Sequence, residues 1–489
     1  MSLNSFHFVL YFCAAVVLVA LLQLLRNKLR IAGTLQLAGL LLFSYFLIYM
    51  SDWRFCLCIA GVTVWTYLFG LQLEKKHKKG LLAIGIVFLV LFLGVFKYAG
   101  FFVNSFRGLF GYDSVTLNII LPLGVSFYIF SALAYLIDVY RGDYEAEKNI
   151  LHFALYIAFF AKLTAGPIVR GKDFFPQIKK YRGIEWNSFL EGAQIFVFGL
   201  FKKVVLADRL GVFVDNVFKT PEIFNTGTVI LAVLSYSLQI YFDFSGYSDM
   251  AIGVSKIVGF AFKPNFNLPY ISQNVSEFWT RWHISLSSWF KDYLYIPLGG
   301  SRKSKIRTLI NLMLVMLVSG LWHGAGWTFI VWGALYGLAS CIQNLLKKQL
   351  KNVNPYVNGV ITFIIVTLFW VVFRAESLPK ALNMLKGIFT VHGGISQPYV
   401  WTFFAILCLT AATVFAVIRY KKGTIAAGLL QSTDESKEQK AEPKKDTING
   451  FYPILDLSKI PCQVAFFTFC GLTLILGYFG NTAFIYGAF

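Results

Sequence analysis

Charged side chains are scarce in this chain of 489 residues. Asp, Glu, Lys and Arg together make up 14%, whereas a soluble protein carries roughly a quarter. Hydrophobic residues reach 57%, and the mean hydropathy is +0.64. These proportions exclude an ordinary soluble domain and predict a protein that crosses a membrane several times.

Cysteine is also rare, with seven residues in the chain. Cys56 and Cys58 are too close together for an ordinary disulfide and have no partner ligands nearby in the sequence. The sequence also lacks an HExxH helix, a GxGxxG after a strand, a Walker A lysine and a GxSxG elbow. A disulfide framework and these motif-bearing chemistries are therefore excluded, and we expect neither a cofactor nor a metal.

Acidic residues are outnumbered 24 to 44 by basic ones, which gives a net charge of +20. In a soluble protein this excess would suggest nucleic acid as a partner. Here the Lys and Arg residues form short clusters between apolar runs, at 26–30, 74–79, 179–182, 301–307, 347–351 and 419–422. Because cytoplasmic loops of membrane proteins carry such clusters, the charge reports topology and contact with an anionic bilayer surface, and no nucleic acid is expected.

Apolar runs recur along the whole chain, and a helix needs about 20 such residues to cross the hydrocarbon core. The first run is followed, not preceded, by basic residues, which predicts a retained helix rather than a signal peptide. We predict an all-α polytopic protein with about 11 transmembrane helices plus re-entrant segments. The candidate runs are Phe8–Leu25, Ile31–Met50, Phe55–Leu73, Leu81–Phe102, Leu117–Tyr140, Leu151–Val169, Phe189–Leu206, Thr228–Val254, Ile306–Leu321, Trp327–Leu346, Val360–Phe373, Trp401–Ile418 and Val464–Ile485.

Two of these regions do not fit simple crossings. Leu151–Val169 contains Lys162 and ends in the helix-breaking residues 164–167, so it is predicted to enter the membrane and return. Basic clusters flank 306–346 on both sides, which predicts a hairpin with both feet in the cytoplasm. Its turn, residues 323–326, is expected to be buried in protein.

The chain is predicted to form a single membrane-embedded domain, 1–489. Within it, 1–145 holds the N-terminal helices, 146–346 the catalytic core and 347–489 the C-terminal helices. A polar low-complexity segment predicts a flexible cytoplasmic loop at 425–455.

Two of the six histidines lie inside apolar segments, and an ionisable residue at membrane depth indicates a functional site. His283 lies in FWTRWHISLSSWF, where aromatic and apolar residues at spacings of three and four predict one amphipathic helix. That helix either anchors at the membrane interface or turns inward and delivers His283 to a cavity. His323 lies in LWHGAGW and is either a structural histidine bonded to a helix end or a reactive group.

A polar stripe marks the apolar segment 228–254. Ser235, Gln239 and Asp243 are four residues apart and share one face of a helix, whereas Ser245 faces differently. Such residues either line a tunnel or join neighbouring helices, and the spacing does not decide between these roles.

Taken together, these motifs resemble those of the membrane-bound O-acyltransferases, and specifically the bacterial branch that includes the alginate O-acetylation membrane protein and its peptidoglycan and cellulose counterparts. The resemblance depends on FWTRWHISLSSWFKDYLYIPLGGSRKSK followed by LVSGLWHGAGWTFIVWGALYG. Five further motifs match that branch in the same order, so the likeness covers most of the chain: SFHFVLYF, LPLGVSFYIF, TAGPIVR, QIYFDFSGYSDMAIG and FWVVFRAES. The C-terminal FIYGAF departs from the aromatic ending usual in that branch.

The resemblance implies a helical fold around a central tunnel, with His323 as the catalytic histidine and His283 as the second histidine of the site. It implies more loosely that Gln239, Asp243 and Ser245 line the substrate tunnel, where we also place Trp282 and Trp322. We expect His323 to act as general base on an acceptor hydroxyl, while His283 orients the acceptor or donates to the oxyanion.

The resemblance also implies a function. An acetyl group would pass from a cytoplasmic donor, acetyl-CoA or an acyl carrier, through an exported SGNH-type acetyltransferase partner to an alginate-like exopolysaccharide. Peptidoglycan and cellulose are alternative acceptors, and the bacterial cytoplasmic membrane is the expected location.

Two other classes of protein remain as alternatives. A transporter or flippase would use the polar segment to move a lipid-linked sugar, although the absence of an evident internal repeat favours transfer chemistry. An intramembrane metalloenzyme would use His283, His323 and Asp243 as ligands, in a spacing that is not specific for a metal.

Overall fold

The computed structural model describes residues 2–26, 31–117, 119–421, 452 and 454–480, with the side chains of 412 and 414–421 left out. This part of the chain is helical, and its one strand-like pairing is an isolated bridge between Phe224 and Ile395. The predicted flexible loop, but for its last few residues, and the C-terminal FIYGAF lie outside the described residues.

The helices of the N-terminal half include one long segment, 79–109, in which a π-helical turn joins two α-helices. The helices are α1 Phe6–Leu24, α2 Ala32–Tyr49, α3 Trp53–Lys76, α4 Lys79–Leu93, the π turn Gly94–Tyr98, α5 Ala99–Leu109, α6 Val125–Arg141, α7 Ile150–Ala158, α8 Phe160–Leu163, α9 Gly171–Lys179, α10 Trp186–Phe201, the π turn Lys202–Ala207, α11 Asp208–Lys219 and α12 Thr226–Ile257.

The helices of the C-terminal half contain the two short elements around His283 and the long hairpin around His323. They are α13 Val275–Arg281, α14 Ile284–Phe290, the π turn Lys291–Tyr295, α15 Lys305–His323, α16 Trp327–Leu345, α17 Lys347–Leu350, α18 Pro355–Arg374, α19 Leu378–Phe389, α20 Val400–Lys421 and α21 Ile460–Leu476. Short 3-10 turns occur at Pro221–Ile223 and Pro269–Ile271.

Eight helical segments in the described part are long and apolar enough to cross a membrane. They are α1, α2, α3, the continuous segment α4–α5, α12, α15, α16 and α18, and shorter apolar stretches lie in α20 and α21. The prediction of an all-α, multi-pass membrane protein is therefore confirmed.

The segment predicted to be re-entrant consists of two short helices. α7 has nine residues and α8 has four, and neither approaches the length needed for a crossing. Lys162 on α8 is buried, with its ammonium 4.0 Å from the ring centre of Tyr156 and 3.4 Å from the hydroxyl of Ser131. Protein therefore shields this interrupted backbone, as a re-entrant segment requires.

Helix α12 is the most central long helix, since most of its 32 residues are buried, from Thr228 to its end at Ile257. It packs closely against α10 because small residues face one another. A Cβ at Gly199 would lie 2.5 Å from the carbonyl oxygen of Gly246, and one at Gly253 would lie 2.7 Å from that of Gly192. Each helix thus presents two glycines, seven residues apart, which allow the two backbones to touch, as is common between membrane helices.

The hairpin predicted at 306–346 is formed by α15 and α16. A Cβ at Gly320 would lie 2.3 Å from the carbonyl oxygen of Phe329, so the two helices meet backbone to backbone near the turn. The expectation that the whole turn is buried is wrong in part. His323 and Gly324 are buried, whereas Ala325 is exposed because the chain must leave the packed helix ends in order to reverse.

Candidate functional site

The helix predicted around His283 is broken at that residue. α13 ends at Arg281 and α14 begins at Ile284, and His283 between them has the left-handed backbone angles φ 44° and ψ 55°. The prediction of one continuous amphipathic helix is therefore wrong. The apolar residues of its stripe are nevertheless all buried, which favours the inward orientation over anchoring at the interface: Trp279, Trp282, Leu286, Trp289 and Tyr293.

Asn265 holds this break in place, and no sequence motif indicated its role. Its carbonyl oxygen accepts from the N–H of Ile284 at 2.9 Å, and its Oδ1 accepts from the N–H and the hydroxyl of Ser285 at 3.1 and 2.9 Å. The same Oδ1 lies 3.3 Å from Nδ1 of His283. Since the amide oxygen can only accept, Nδ1 of His283 is the protonated nitrogen of the ring, and this fixes both tautomer and orientation.

His323 is the last residue of α15 and is surrounded by aromatic rings. Its ring centre lies 5.0 Å from that of Trp322, 5.1 Å from that of Trp332 and 5.4 Å from that of Phe373. Only 3% of its surface is exposed. An apolar enclosure of this kind disfavours imidazolium and keeps the ring in the neutral form that a general base requires.

The structure brings the two histidines into one site, with Trp322 between them. The ring of Trp322 lies 5.0 Å from His323 and 6.0 Å from His283, measured between ring centres. Phe244 of α12 covers His283 edge-on at 4.6 Å. Trp282, also predicted as a site residue, is fully buried and packs against Phe266, with ring centres 5.1 Å apart.

Polar side chains of α12 bond to side chains of neighbouring segments. Asp243 accepts from Lys203 at 2.6 Å, and the same ammonium reaches Asp208 at 2.7 Å. The hydroxyl of Ser235 is 2.7 Å from that of Thr402 on α20. These contacts join α12 to neighbouring helices, which is the alternative to tunnel lining that the spacing left open.

The other two predicted tunnel residues are also deep in the packing of α12. Gln239 lies against α11, where a Cβ at Gly211 would come within 2.8 Å of its Nε2. Ser245 is fully buried beside Phe244, the residue that does reach His283. Their role as tunnel residues stays a prediction.

A lysine inside an apolar helix is the second group that sequence reasoning missed. Lys97, in the π turn between α4 and α5, donates to the carbonyl oxygen of Trp322 at 2.6 Å and to that of His323 at 3.3 Å. The hydroxyl of the next residue, Tyr98, donates to the carbonyl oxygen of Leu321 at 2.8 Å. A charged residue within the run 81–102 was visible in the sequence, but its partner on α15 lies more than 200 residues away.

A cavity of about 730 Å³ approaches the site along the hairpin. Its exposed lining residues include Lys291, Lys347 and Lys351, which we call its mouth, and its buried lining residues include Trp279 and Ser319. Ser319 lies one helical turn before His323, and Trp279 touches Trp332, the ring that covers His323. The cavity therefore leads from a cationic surface to the wall of the histidine site.

A wide depression of about 1170 Å³ lies at the turn of the hairpin, which follows His323. It is lined by α5 and by the exposed part of the hairpin turn, including Phe101, Ala325 and Trp327. Gly324, between His323 and Ala325 in the chain, is covered by the ring of Phe329, which would lie 2.1 Å from a Cβ there. Along the hairpin, His323 thus lies between Ser319, which lines the cavity, and Ala325, which lines the depression.

No set of three or more His, Cys, Asp or Glu residues that could hold a metal ion occurs in the part of the chain that the structure describes. The metalloenzyme alternative, with His283, His323 and Asp243 as ligands, has no assembled donor set there. Asp243 is engaged with Lys203 instead.

Comparisons with known proteins match these features. A model of the membrane-bound O-acyltransferase family matches residues 147–375, which include both histidines of the site. The probable alginate O-acetylase of Pseudomonas aeruginosa is 45% identical over 364 residues, covering 72% of this chain and 69% of its own length. The peptidoglycan O-acetyltransferase of Helicobacter pylori is 36% identical over 388 residues, covering 72% and 74%. The teichoic acid D-alanyltransferase of Bacillus subtilis is 29% identical over 246 residues, covering 48% and 62%.

Proposed function

Because this chain belongs to the membrane-bound O-acyltransferase family and is an O-acyltransferase, we propose that it transfers acetyl groups from a cytoplasmic thioester to the hydroxyl groups of an extracellular polysaccharide. The observation that carries the proposal is the position of His323, paired with His283 across Trp322 and flanked by a concave surface on each side. We place the protein in the cytoplasmic membrane of a bacterium, with the basic clusters inside.

In the proposed reaction, neutral His323 takes the proton of an acceptor hydroxyl as the oxygen attacks the thioester carbonyl. The C–O bond forms, the tetrahedral intermediate collapses, the C–S bond breaks, and the thiolate leaves and receives the proton from the imidazolium. General-base catalysis of this type contributes about 10²–10⁴-fold in rate. The products are an acetyl ester and a free thiol.

The role of His283 follows from its tautomer. Its Nδ1–H faces Asn265, so its Nε2 carries no proton and accepts hydrogen bonds. Nε2 is therefore suited to orient the hydroxyl group that receives the acetyl group, by accepting a hydrogen bond from it. Of the two roles that the sequence left open, orientation of the acceptor is therefore the one we propose, rather than donation to the oxyanion.

We propose that the donor enters the cavity at the hairpin. The three lysines at the mouth suit the phosphate groups of acetyl-CoA or of a carrier's phosphopantetheine. From Leu345, two residues before Lys347, to Trp332, beside His323, α16 rises about 20 Å, at 1.5 Å per residue. A donor that binds the lysines must therefore carry its acetyl group on a long, narrow arm, as a pantetheine thioester does.

The depression on the far side of His323 suits the acceptor. It lies beyond the end of α15 that is opposite the basic residues of the hairpin feet, and hence on the exported side. We propose that an exported acetyltransferase of the SGNH type offers a serine hydroxyl here and passes the acetyl group to the polysaccharide. The relatives' names favour an alginate-like acceptor, with peptidoglycan as the alternative.

The test is acetyl transfer by the purified protein, measured as release of free CoA from radiolabelled acetyl-CoA. We expect His323→Ala to lose at least about 100-fold in rate and His283→Ala to lose less. His7→Ala is the matched control, since His7 is an exposed histidine near the N-terminus. A folded His323→Ala protein with the wild-type rate would remove the mechanism. Parallel assays that also contain the exported acetyltransferase, with alginate or with peptidoglycan, separate the two polysaccharides.

A further inference from the structure

Lys97 is a charged residue within a segment long and apolar enough to span the membrane. An ammonium group at membrane depth is costly and is found where it has a specific task. The hydrogen-bond partners that the structure gives it in the described part of the chain are two carbonyl oxygens and one hydroxyl, that of Ser126 at 3.4 Å. A carboxylate is not among them, so Lys97 differs from Lys202 and Lys203, which pair with aspartates of the same core.

The partners of Lys97 lie at one place, the carboxyl end of α15. The last carbonyl groups of a helix have no partner within the helix and carry its negative dipole end. Three consecutive carbonyls of this turn, those of Leu321, Trp322 and His323, are bound by Lys97 and Tyr98. The ammonium also lies 5.7 Å from the ring centre of Trp322, the residue between the two histidines.

The π turn explains how adjacent residues reach the same helix end. In a π turn one extra residue is accommodated, and such turns often occur at functional sites. The turn Gly94–Tyr98 lies within an otherwise α-helical segment, and both of its last two residues bond to α15.

We propose that Lys97 is a positioning residue for His323, an inference that rests on the proposed role of His323 as general base. By binding the carbonyls of Trp322 and His323, Lys97 fixes the last turn of α15 and with it the direction of the imidazole. Its positive charge also offsets the negative field of the helix end, which would otherwise favour imidazolium over the neutral base.

The experiment compares kinetics of CoA release for Lys97→Met, Lys97→Gln, Lys97→Arg and Tyr98→Phe in the full-length protein. We expect Lys97→Met to lower kcat about 10–100-fold, because small misplacements of a catalytic group cost up to about that much. KM for acetyl-CoA should stay within about twofold of wild type, since Lys97 lies away from the cavity mouth. Lys97→Arg should recover part of kcat, because it restores the charge.

Tyr98→Phe is the matched control, because it removes a neutral hydrogen bond to the neighbouring carbonyl and leaves the charge in place. It should lower kcat less than Lys97→Gln, which keeps a donor but removes the charge. Size-exclusion profiles and thermal melting in detergent report the folding of each variant.

The outcomes separate this inference from the proposed function. Wild-type kcat in folded Lys97→Met, with His323→Ala inactive, would overturn the role of Lys97 alone. Activity in His323→Ala would overturn the proposed function. If Lys97→Met does not fold, wild-type kcat in folded Lys97→Gln overturns the inference, as does failure of every Lys97 variant to fold, since the residue is then structural.

Discussion

At the scale of single residues, the site consists of residues that sequence patterns identify and residues that only the structure identifies. His283 and His323 were found because an ionisable side chain in an apolar segment stands out from its neighbours. Asn265 and Lys97 act on those histidines across 18 and more than 200 residues of sequence. Their roles follow from tertiary contacts, which no local pattern of residues contains.

The backbone of His283 provides a prediction at this scale. A residue with a Cβ pays about 1–2 kcal/mol in the left-handed region, whereas glycine adopts it freely. We therefore expect His283→Gly to be more stable than His283→Ala by about that amount, although both lose the imidazole. Thermal melting of the two purified variants measures the difference.

The same pair of substitutions at His323 is the control for that measurement. His323 is helical, and alanine is favoured over glycine in a helix, so His323→Ala should be at least as stable as His323→Gly. Equal stability of His283→Gly and His283→Ala would show that the left-handed break between α13 and α14 is not the native conformation.

At the scale of helices, hydrophobic runs predicted most of the long elements and missed the interruptions. α1, α2, α3, α12, α15, α16 and α18 coincide with predicted runs to within several residues at their ends. The break at His283 and the three π turns found among the described residues were not predicted, because the spacing of apolar residues is the same whether or not the backbone departs from an α-helix. Each π turn contains a lysine, and two of the turns join α12 or α15 through it.

The contact between α12 and the π turn at Lys202–Ala207 gives a prediction about Asp243. If Asp243 holds helices together, Asp243→Asn should cost about 3 kcal/mol or more in stability, because it weakens a buried ion pair with Lys203. Folded Asp243→Asn protein should then keep kcat within about twofold of wild type. Chemical or thermal unfolding, followed by CoA release from the folded fraction, measures both quantities.

Glu376→Gln is a suitable comparison for Asp243→Asn, since Glu376 forms an exposed ion pair with Lys380, and its loss should leave stability unchanged. The opposite result for Asp243→Asn, full stability with a large loss of kcat, would assign this carboxylate to the substrate tunnel, as the family resemblance implies.

At the scale of the whole molecule, charge asymmetry along the hairpin sets the direction of the proposed reaction. Three lysines line one cavity, whereas no charged residue is among the described residues that line the depression beyond His323. The sequence predicts that the basic clusters face the cytoplasm, because the positive-inside rule depends on composition alone, and this placement stays a prediction. It did not predict the cavities, because their walls come from helices that are distant along the chain.

The lysines at the mouth give the prediction for this scale. Replacing Lys291, Lys347 and Lys351 together by serine should raise KM for acetyl-CoA about 10-fold or more at low salt, because the cluster attracts the donor's phosphate groups. kcat should change little, since the three substitutions leave both histidines in place, and the foot of α16 beside Lys347 and Lys351 lies about 20 Å along that helix from Trp332. Added salt should raise KM of the wild type more steeply than that of the triple variant, because salt screens the attraction between the lysines and the donor's phosphate groups.

Lys263→Ser is the control, as Lys263 is an exposed lysine that pairs with Asp173 away from the cavity. An unchanged KM in the triple variant would mean that the donor reaches His323 by a route other than this cavity.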